Sequence, residues 1–383
     1  MPDKLRICYF GTYLRTYPRN KIIIDGLRNN NVEVIECHVD LWKGIEPRWH
    51  EIKSKFGKIK IACKIIFAYL QLFLLHQDII RNYDVMIVGY TGHLDIFLAR
   101  LLASLKRKPL IFDAFVSLYS TFVEDRLLFS PDSFLASLLQ KLDKISCFLS
   151  DGVFLDTQAH IEYFKKQLNI TNTKFYRVWA GADDTVYYPR QTKKKNKEFI
   201  ALFIGGFIPL QGVEYIVKAA HLLNKKQDIK FRLVGAGQEY EDMKKMVKQF
   251  GLKNIEFTGW LPYEKLPDEI ASAQICLGIF GNTEKAKKVI PNKIYMSLAM
   301  AKPVITGDSL AVREVFTDRE NIFLCEMGNP ESIAKSIVMS KENPNLTSRI
   351  SNAGYLLFRE NFTPQIIGKH VKKAILALGC KKQ

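Results

Sequence analysis

Lysines cluster just before a predicted helix in the second half of the chain. The segment EKAKKVIPNKIYMSLAMAKPVITG (284–307) places Lys285 and Lys288 ahead of Pro291, and Lys293 in the first helical turn. The first turn of a helix has free N–H groups and tolerates proline. Lysine is usually favoured at the opposite end of a helix, so this placement indicates a bound anion, most simply a diphosphate. The alternative is a solvated lysine loop without a ligand.

Glycine turns directly follow three predicted strands. They contain Gly11, the pair Gly205 and Gly206, and Gly235 with Gly237. Glycine lets the backbone approach a ligand closely, and the next helix then offers N–H groups to an anion, although helix–strand packing alone also uses such glycines. Neither GxGxxG with a downstream ribose carboxylate nor GxxxxGK[ST] is present, which argues against a dehydrogenase and a P-loop NTPase.

Polar residues also follow the predicted strands of the first half. His93 lies in YTGHLD, and Asp113 ends the strand in IFDAFVSLYS, with Ser117 nearby. An aspartate at the carboxyl end of a strand can orient hydroxyl groups or accept a proton. The alternative for both His93 and Asp113 is a structural role at the start of the next helix. The pair Asp183-Asp184 lacks a metal-ligand pattern, and we expect no metal site.

Short apolar runs alternate with amphipathic stretches along both halves of the chain. The predicted strands are 4–10, 32–37, 84–89, 109–113, 151–156, 199–204, 229–234, 254–258, 274–280 and 303–306. The predicted helices are 20–30, 94–106, 133–149, 212–224, 239–250, 264–272 and 291–301. Strands that alternate with helices predict parallel sheets covered on both faces.

A polar, cationic stretch separates the two series. We predict an α/β protein with a Rossmann-like domain over 1–190, a linker at 191–198, a second Rossmann-like domain over 199–360, and a C-terminal helix in 361–383 that packs back on the first domain. The two domains should face each other across a central cleft. In such sheets ligands bind at the carboxyl ends of the strands.

The composition is that of a globular protein, and its positive charge indicates anionic partners, with a soluble lysine-rich surface that has no special partner as the alternative. The 383 residues are 48% hydrophobic and 25% charged, and 56 Lys and Arg against 39 Asp and Glu give a net charge of +17. This length favours two domains. The seven cysteines are odd in number and lack CxxC spacing, which predicts thiols in a reducing compartment. We expect neither a signal peptide nor a membrane-spanning helix.

The segment 53–78 predicts an unusual helix. Lys60, Lys64 and Gln71 share one stripe, and apolar side chains cover the rest. Further lysines lie at its start, at 53, 55 and 58, and a second apolar patch contains Leu127, Leu128, Phe129 and Phe134. An apolar helix with a lysine-rich end is typical of binding to an anionic membrane surface. A core helix with solvated lysines is the alternative.

Four segments of the second half resemble the nucleotide-sugar domain of family 4 glycosyltransferases, which have the GT-B fold. They are LFIGGFIPLQGVEYIVKAA, FRLVGAGQEYEDMKKM, IEFTGWLPYEKLPDEIASAQICLGIF and VIPNKIYMSLAMAKPVITGDSLAVREVFTDRENIFL. In the first half, DGVFLDTQAHIEYF and RVWAGADDTVYYP are similar to the segments that lead to the interdomain hinge. A subgroup with the IPLQG and IPNK motifs is the best match.

The resemblance implies a donor site with departures from the family pattern. The family's diphosphate-binding arginine and lysine fall at Gly206 and Gln211, and its two glutamates fall at Lys288 and Met296. Lys288 and Lys293 could replace the lost cations, and Glu314 could replace the lost ribose ligand. The implied donor-binding residues are Gly11, Thr12, Gly205, Gly206, Gln211, Gly235, Gly237, Trp260, Lys288, Lys293 and Glu314, and the implied catalytic residues are His93, Asp113 and Lys293.

The resemblance further implies a retaining, metal-independent transferase of hexosyl type without a cofactor. Its partners would be a nucleotide-diphosphate sugar, a glycan or lipid-linked acceptor bound by the N-terminal domain, and an anionic membrane surface. Cell-surface polysaccharide or glycolipid synthesis in the cytoplasm, at the inner face of the membrane, is the expected setting. An inactive GT-B binding protein and a nucleotide-sugar epimerase are the alternatives. No nucleic-acid-binding signature is present.

Overall fold

Two parallel six-stranded sheets organise the chain. The structure is a computed structural model, and it describes residues 4–41, 55–78, 82–171, 173–190, 198–226 and 228–379. The strand order is β2-β1-β3-β4-β5-β6 in the first sheet and β12-β11-β10-β7-β8-β9 in the second. The prediction of an α/β protein with two Rossmann-like domains is confirmed.

The N-terminal domain contains the first sheet. Its strands are β1 (Arg6–Gly11), β2 (Glu33–His38), β3 (Val85–Val88), β4 (Leu110–Asp113), β5 (Gly152–Leu155) and β6 (Phe175–Arg177). Its helices are α1 (Pro18–Asn29), α2 (Lys55–Asp78), α3 (Asp95–Leu105), α4 (Phe134–Phe148) and α5 (Gln158–Leu168). A π-helical segment, Ser120–Asp125, follows β4, and the sequence pattern did not predict it.

The C-terminal domain contains the second sheet. Its strands are β7 (Phe199–Ile204), β8 (Ile229–Val234), β9 (Ile255–Gly259), β10 (Ile275–Leu277), β11 (Val304–Gly307) and β12 (Phe323–Cys325). Its helices are α6 (Val213–Leu222), α7 (Tyr240–Gln249), α8 (Leu266–Ser272), α9 (Asn292–Ala299), α10 (Leu310–Arg313), α11 (Pro330–Glu342) and α12 (Pro344–Asn361).

The last helix, α13 (Pro364–Ala377), returns to the N-terminal domain and packs against α1. The two backbones are nearly in contact, since a Cβ atom at Gly26 would lie 2.1 Å from the carbonyl oxygen of Pro364. Asn30 adds a side-chain hydrogen bond of 2.7 Å to the carbonyl of Gln365. The chain therefore crosses between the domains twice, and residues 191–197 of the predicted linker lie outside the described residues.

Local sequence explains where the elements begin. Ser133 and Thr157 accept N–H hydrogen bonds as N-caps of α4 and α5. Pro291 is extended and precedes α9, so that helix begins one residue later than predicted, with Lys293 in its first turn. The strands β3, β4 and β5 are buried along their whole length, as expected for a sheet covered on both faces.

One helical layer of the N-terminal domain has a second apolar surface. Helices α2, α3 and α4 pack on the same face of the sheet through residues such as Leu72, Leu102 and Cys147. Their outer sides expose Ile66, Phe67, Leu70, Phe73, Leu74, Leu94, Phe97, Leu101, Leu105, Phe134, Leu135, Leu138, Ile145 and Phe148, which we call the apolar face. Within the described residues, no helix is long and apolar enough to cross a membrane.

Candidate active site

Two glycine turns of the C-terminal domain meet at the carboxyl ends of β7 and β8. Gly235 has a φ of +131°, and a Cβ atom there would lie 2.0 Å from the carbonyl oxygen of Gly205. Only glycine allows this approach of the two backbones. The second glycine of each turn differs in the space around it. At Gly237 a Cβ atom would lie 2.7 Å from the nitrogen of Phe207, whereas at Gly206 the nearest atom would be 3.8 Å away. Gly206 therefore has space beside it for a ligand.

Lys293 lies against the first of these turns. Its ammonium group donates to the Oε1 atom of Gln211 and, at 3.4 Å, to the carbonyl of Gly278, and it lies 3.6 Å from the ring centre of Phe203. A Cβ at Gly205 would be 2.8 Å from Nζ, so the amine faces the first turn directly. Among the described residues no carboxylate pairs with Lys293, and burial lowers its pKa well below the usual value. The structure therefore brings together Gly205, Gln211 and Lys293 of the predicted donor-binding set.

The amino end of α6 opens beside the same group. The turn Pro209–Gln211 leads to Gly212, whose φ of +64° reverses the chain into the helix. Free N–H groups in the first turn of a helix attract anions. Gln211 is buried and accepts the hydrogen bond from Lys293. Gln211 stands at the position where the family pattern has a lysine, and its amide holds the ammonium group of Lys293 there.

The lysines before α9 contact the opposite domain. Lys285 donates to the Oγ1 atom of Thr121 at 2.8 Å, and Lys288 lies 3.7 Å from a carboxylate oxygen of Glu124 and 3.4 Å from the ring centre of Tyr163. The backbone of Lys288 is also held, because Thr157 donates to its carbonyl at 2.5 Å. Lys288 is thus engaged by the N-terminal domain, and its predicted diphosphate contact stays a prediction.

A buried carboxylate, Asp125, lies beside Lys285 at this domain boundary. Burial raises the pKa of Asp125, while Lys285 and Arg126 favour its charged form; the Nε atom of Arg126 is 3.9 Å away. Burial likewise lowers the pKa of Lys285 to about 8. Lys285 belongs to the lysine cluster that the sequence analysis interpreted as an anion site, whereas Asp125 was not predicted as a site residue. The only sequence signal at Asp125 was its position next to Arg126, and an adjacent Asp-Arg pair does not indicate a site.

The first glycine turn of the N-terminal domain is held by a residue that the sequence reasoning missed. The Oδ2 atom of Asp95 accepts the N–H of Thr12 at 2.7 Å, and the Thr12 hydroxyl also donates to this carboxylate. A Cβ at Gly11 would lie 2.5 Å from the same oxygen. Asp95 is an acidic residue in the first turn of α3, where carboxylates are favoured, and it fixes the predicted loop of Gly11 and Thr12.

His93 and Asp113 are buried in the N-terminal domain. The Nε2 atom of His93 lies 3.2 Å from Asp143. Asp113 and Arg19 form an ion pair of 2.7 Å with no exposure of either side chain, and Arg19 also donates to two backbone carbonyls. The carboxylate of Asp113 is therefore directed at Arg19, in an ion pair that the sequence analysis did not predict. A catalytic role for either residue stays a prediction.

The remaining predicted residues lie at the rim of the second domain. Glu314 accepts the N–H groups of Gln158 and Ala159 at 2.8 and 2.7 Å and lies 3.2 Å from Arg177. Both carboxylate oxygens thus cap α5 across the domain boundary, so the structure does not offer them to a ribose. Trp260 follows β9, and its half-exposed side chain is available for stacking. Their donor roles stay predictions.

The comparisons with known proteins agree on one class. Residues 187–357 match the family model described as "Glycosyl transferases group 1". An uncharacterized glycosyltransferase of Methanocaldococcus jannaschii is 27% identical over 187 residues, which is 48% of this chain and 47% of the relative. The chain spans about half the length of the curated relatives it matches.

Solved structures share the two-domain fold. Sucrose-phosphate synthase from Thermosynechococcus elongatus superposes with a TM-score of 0.73 at 14% identity over 98% of this chain and 99% of that one. Anabaena HepE in complex with UDP-glucose superposes with a TM-score of 0.67, again at 14% identity, over 98% and 99% of the chains. These similarities establish the GT-B architecture.

Proposed function

We propose that this chain is a glycosyltransferase that moves a hexosyl group from a nucleotide-diphosphate sugar to a glycan or lipid-linked acceptor. The observation that carries the proposal is the buried amine of Lys293 beside the glycine turn that follows β7, with no carboxylate partner among the described residues. Burial without a carboxylate partner disfavours the charged form of Lys293 and lowers its pKa, and a bound diphosphate would stabilise that charged form by pairing with it. The group 1 family match and the UDP-glucose complex of a protein with the same fold support this assignment.

The chemistry follows from the charge that develops on the leaving group. The bond between the anomeric carbon and the terminal phosphate oxygen breaks, and the acceptor hydroxyl oxygen forms the new bond to that carbon. The hydroxyl proton passes to a diphosphate oxygen. Lys293 and the amino end of α6 stabilise the released diphosphate, which is the largest electrostatic contribution expected. We propose that this charge comes from protein groups without a metal ion, and that the anomeric configuration is retained.

The N-terminal domain would bind the acceptor, and its loop of Gly11 and Thr12 would approach the donor phosphates from across the cleft. We propose that it does so at the inner face of the cell membrane, in the synthesis of a cell-surface polysaccharide or glycolipid. Support comes from the apolar face and from α2, whose Lys60 and Lys64 are exposed beside five exposed apolar side chains. This pattern is typical of helices that lie in a membrane interface.

A binding and turnover panel tests the proposal. The chain is titrated with UDP, GDP and dTDP and with their hexose conjugates, and then incubated with candidate glycan and lipid-linked acceptors. We expect one nucleotide diphosphate to bind and its sugar to appear on an acceptor with unchanged anomeric configuration by NMR. Conversion of the nucleotide sugar without any acceptor would indicate the epimerase. Nucleotide binding without transfer to any acceptor in the panel would favour the inactive binding protein.

A further inference from the structure

A cavity of about 660 Å³ opens at the edge of the N-terminal sheet that is opposite the cleft. It lies at the amino ends of β4, β5 and β6, where Pro109, Asp151 and Lys174 precede the three strands. None of the predicted donor or catalytic residues lines it. The cavity is therefore a feature separate from the proposed active site.

The charge of this cavity is strongly unbalanced. Four of its lining side chains are cationic, Arg100, Arg107, Lys108 and Lys174, and Asp151 is the carboxylate among them. Asp151 is already engaged by Arg100 at 3.2 Å and by the N–H of Leu110 at 2.7 Å.

Three of these cations have no counter-ion among the described residues. Arg107, Lys108 and Lys174 form no ion pair within that part of the chain, and we call the cavity that they line the basic pocket. Three such cations around one cavity favour an anion with several oxygens.

The basic pocket is continuous with the apolar face. Phe148, at the end of α4, lines the pocket and is 56% exposed, and Leu105, at the end of α3, is 68% exposed two residues before Arg107. Both helices begin near the cleft and end near the pocket, because they run antiparallel to the strands. The apolar stripe on α4 spans 15 residues, or about 22 Å. The basic pocket and the apolar face therefore adjoin each other, and α3 and α4 extend from the pocket towards the rim of the cleft.

We propose that the basic pocket binds the phosphate headgroup of an anionic phospholipid while the apolar face lies in the bilayer surface. An anionic bilayer presents apolar chains beneath a layer of phosphates, which matches exposed Leu and Phe side chains bordered by Lys and Arg. A lipid-linked acceptor held in the same bilayer would then lie near the rim of the cleft, where α3 and α4 begin. The membrane contact of the apolar face and the lipid-linked acceptor rest on the proposed function, whereas the phosphate site in the basic pocket is independent of it.

Vesicle binding by the full chain tests the pocket. Co-sedimentation is measured with phosphatidylcholine vesicles, with and without phosphatidylglycerol, for the wild type and for a variant with Arg107→Gln, Lys108→Gln and Lys174→Gln. Because each cation near an anionic surface contributes about 1 kcal/mol, binding of the variant to phosphatidylglycerol vesicles should be about 100-fold weaker. The matched control changes three exposed lysines of the C-terminal domain, Lys248, Lys265 and Lys335, to Gln and should remain within about twofold of the wild type.

The remaining arms separate lipid binding from binding of a free phosphate compound and from a general effect of charge. A variant with Leu101→Asn and Leu105→Asn should lose binding even where the basic pocket is intact. Failure of the wild type to bind the vesicles, an undiminished pocket variant, or an equal loss in the control variant would each overturn the proposal. So would binding of inorganic phosphate or glycerol 1-phosphate in the pocket without vesicle binding. Nucleotide titration of the same preparations reports on the glycosyltransferase proposal separately, because no residue of that site is changed.

Discussion

Lys293→Met should weaken nucleotide diphosphate binding and at the same time stabilise the free protein. Methionine keeps an unbranched side chain that is one heavy atom shorter than that of lysine, and it removes the charge. A hydrogen bond to a charged group contributes about 1.5–3 kcal/mol, so the dissociation constant should rise about 10- to 150-fold. The full effect is expected because the ammonium group is buried and no carboxylate within the described residues offsets its charge.

The stability effect has the opposite sign. The buried cation of Lys293 costs several kcal/mol, and its bonds to Gln211 and Gly278 return only about 1 kcal/mol each. The free energy of unfolding should therefore rise by about 1–3 kcal/mol in Lys293→Met at pH 7. Burial lowers the pKa of Lys293 in the folded protein, so its charged form destabilises the fold fully at pH values below that lowered pKa. The wild type should gain stability as pH rises from there towards the unfolded value of about 10.4, and the variant should lack this gain.

Calorimetric titration with the nucleotide and urea denaturation at pH 7 and at alkaline pH measure both effects. The matched control is Lys302→Met, a partly buried lysine of the same domain whose ammonium group donates to the carbonyls of Ala271 and Ala273 at 2.6 and 2.9 Å. We expect that variant to be less stable with unchanged nucleotide affinity. Unchanged affinity in Lys293→Met, or an equal loss in Lys302→Met, would refute the role of Lys293.

Three further outcomes are expected. Glu314→Gln should lower the free energy of unfolding by about 1 kcal/mol by weakening the cap of α5, with nucleotide affinity unchanged; a large loss of affinity in calorimetry would instead restore the ribose role. Transfer activity, measured by product formation, should survive EDTA, and a complete loss restored by divalent ions would reveal a metal site. Lys60→Glu with Lys64→Glu should reduce co-sedimentation with anionic vesicles and leave nucleotide titration unchanged, and persistence of full vesicle binding would exclude α2 from the membrane surface.

The fold could be predicted because its signals are local. Each strand is a short apolar run, each helix has an amphipathic period and most turns contain glycine, so neighbours in sequence were enough to place β7 at 199–204 and β8 at 229–234 without error. The π-helical segment Ser120–Asp125 could not be predicted in this way. It has no apolar period of its own, and its shape depends on contacts such as Asp143 with the backbone of Leu118 and Tyr119.

The sequence by itself placed the glycine turns and lysines after the strands of the second sheet, because the order of strands and helices along the chain can be read from local patterns. Only the tertiary structure decided which charges have partners. Lys288 and Lys293 look alike in IPNK and its flank, yet one lies beside Glu124 and Tyr163 while the other is buried with no carboxylate partner among the described residues. Asp113 meets Arg19 across 94 positions of sequence. Coulombic and desolvation energies depend on distance and burial in space, and neither can be read from spacing along a chain.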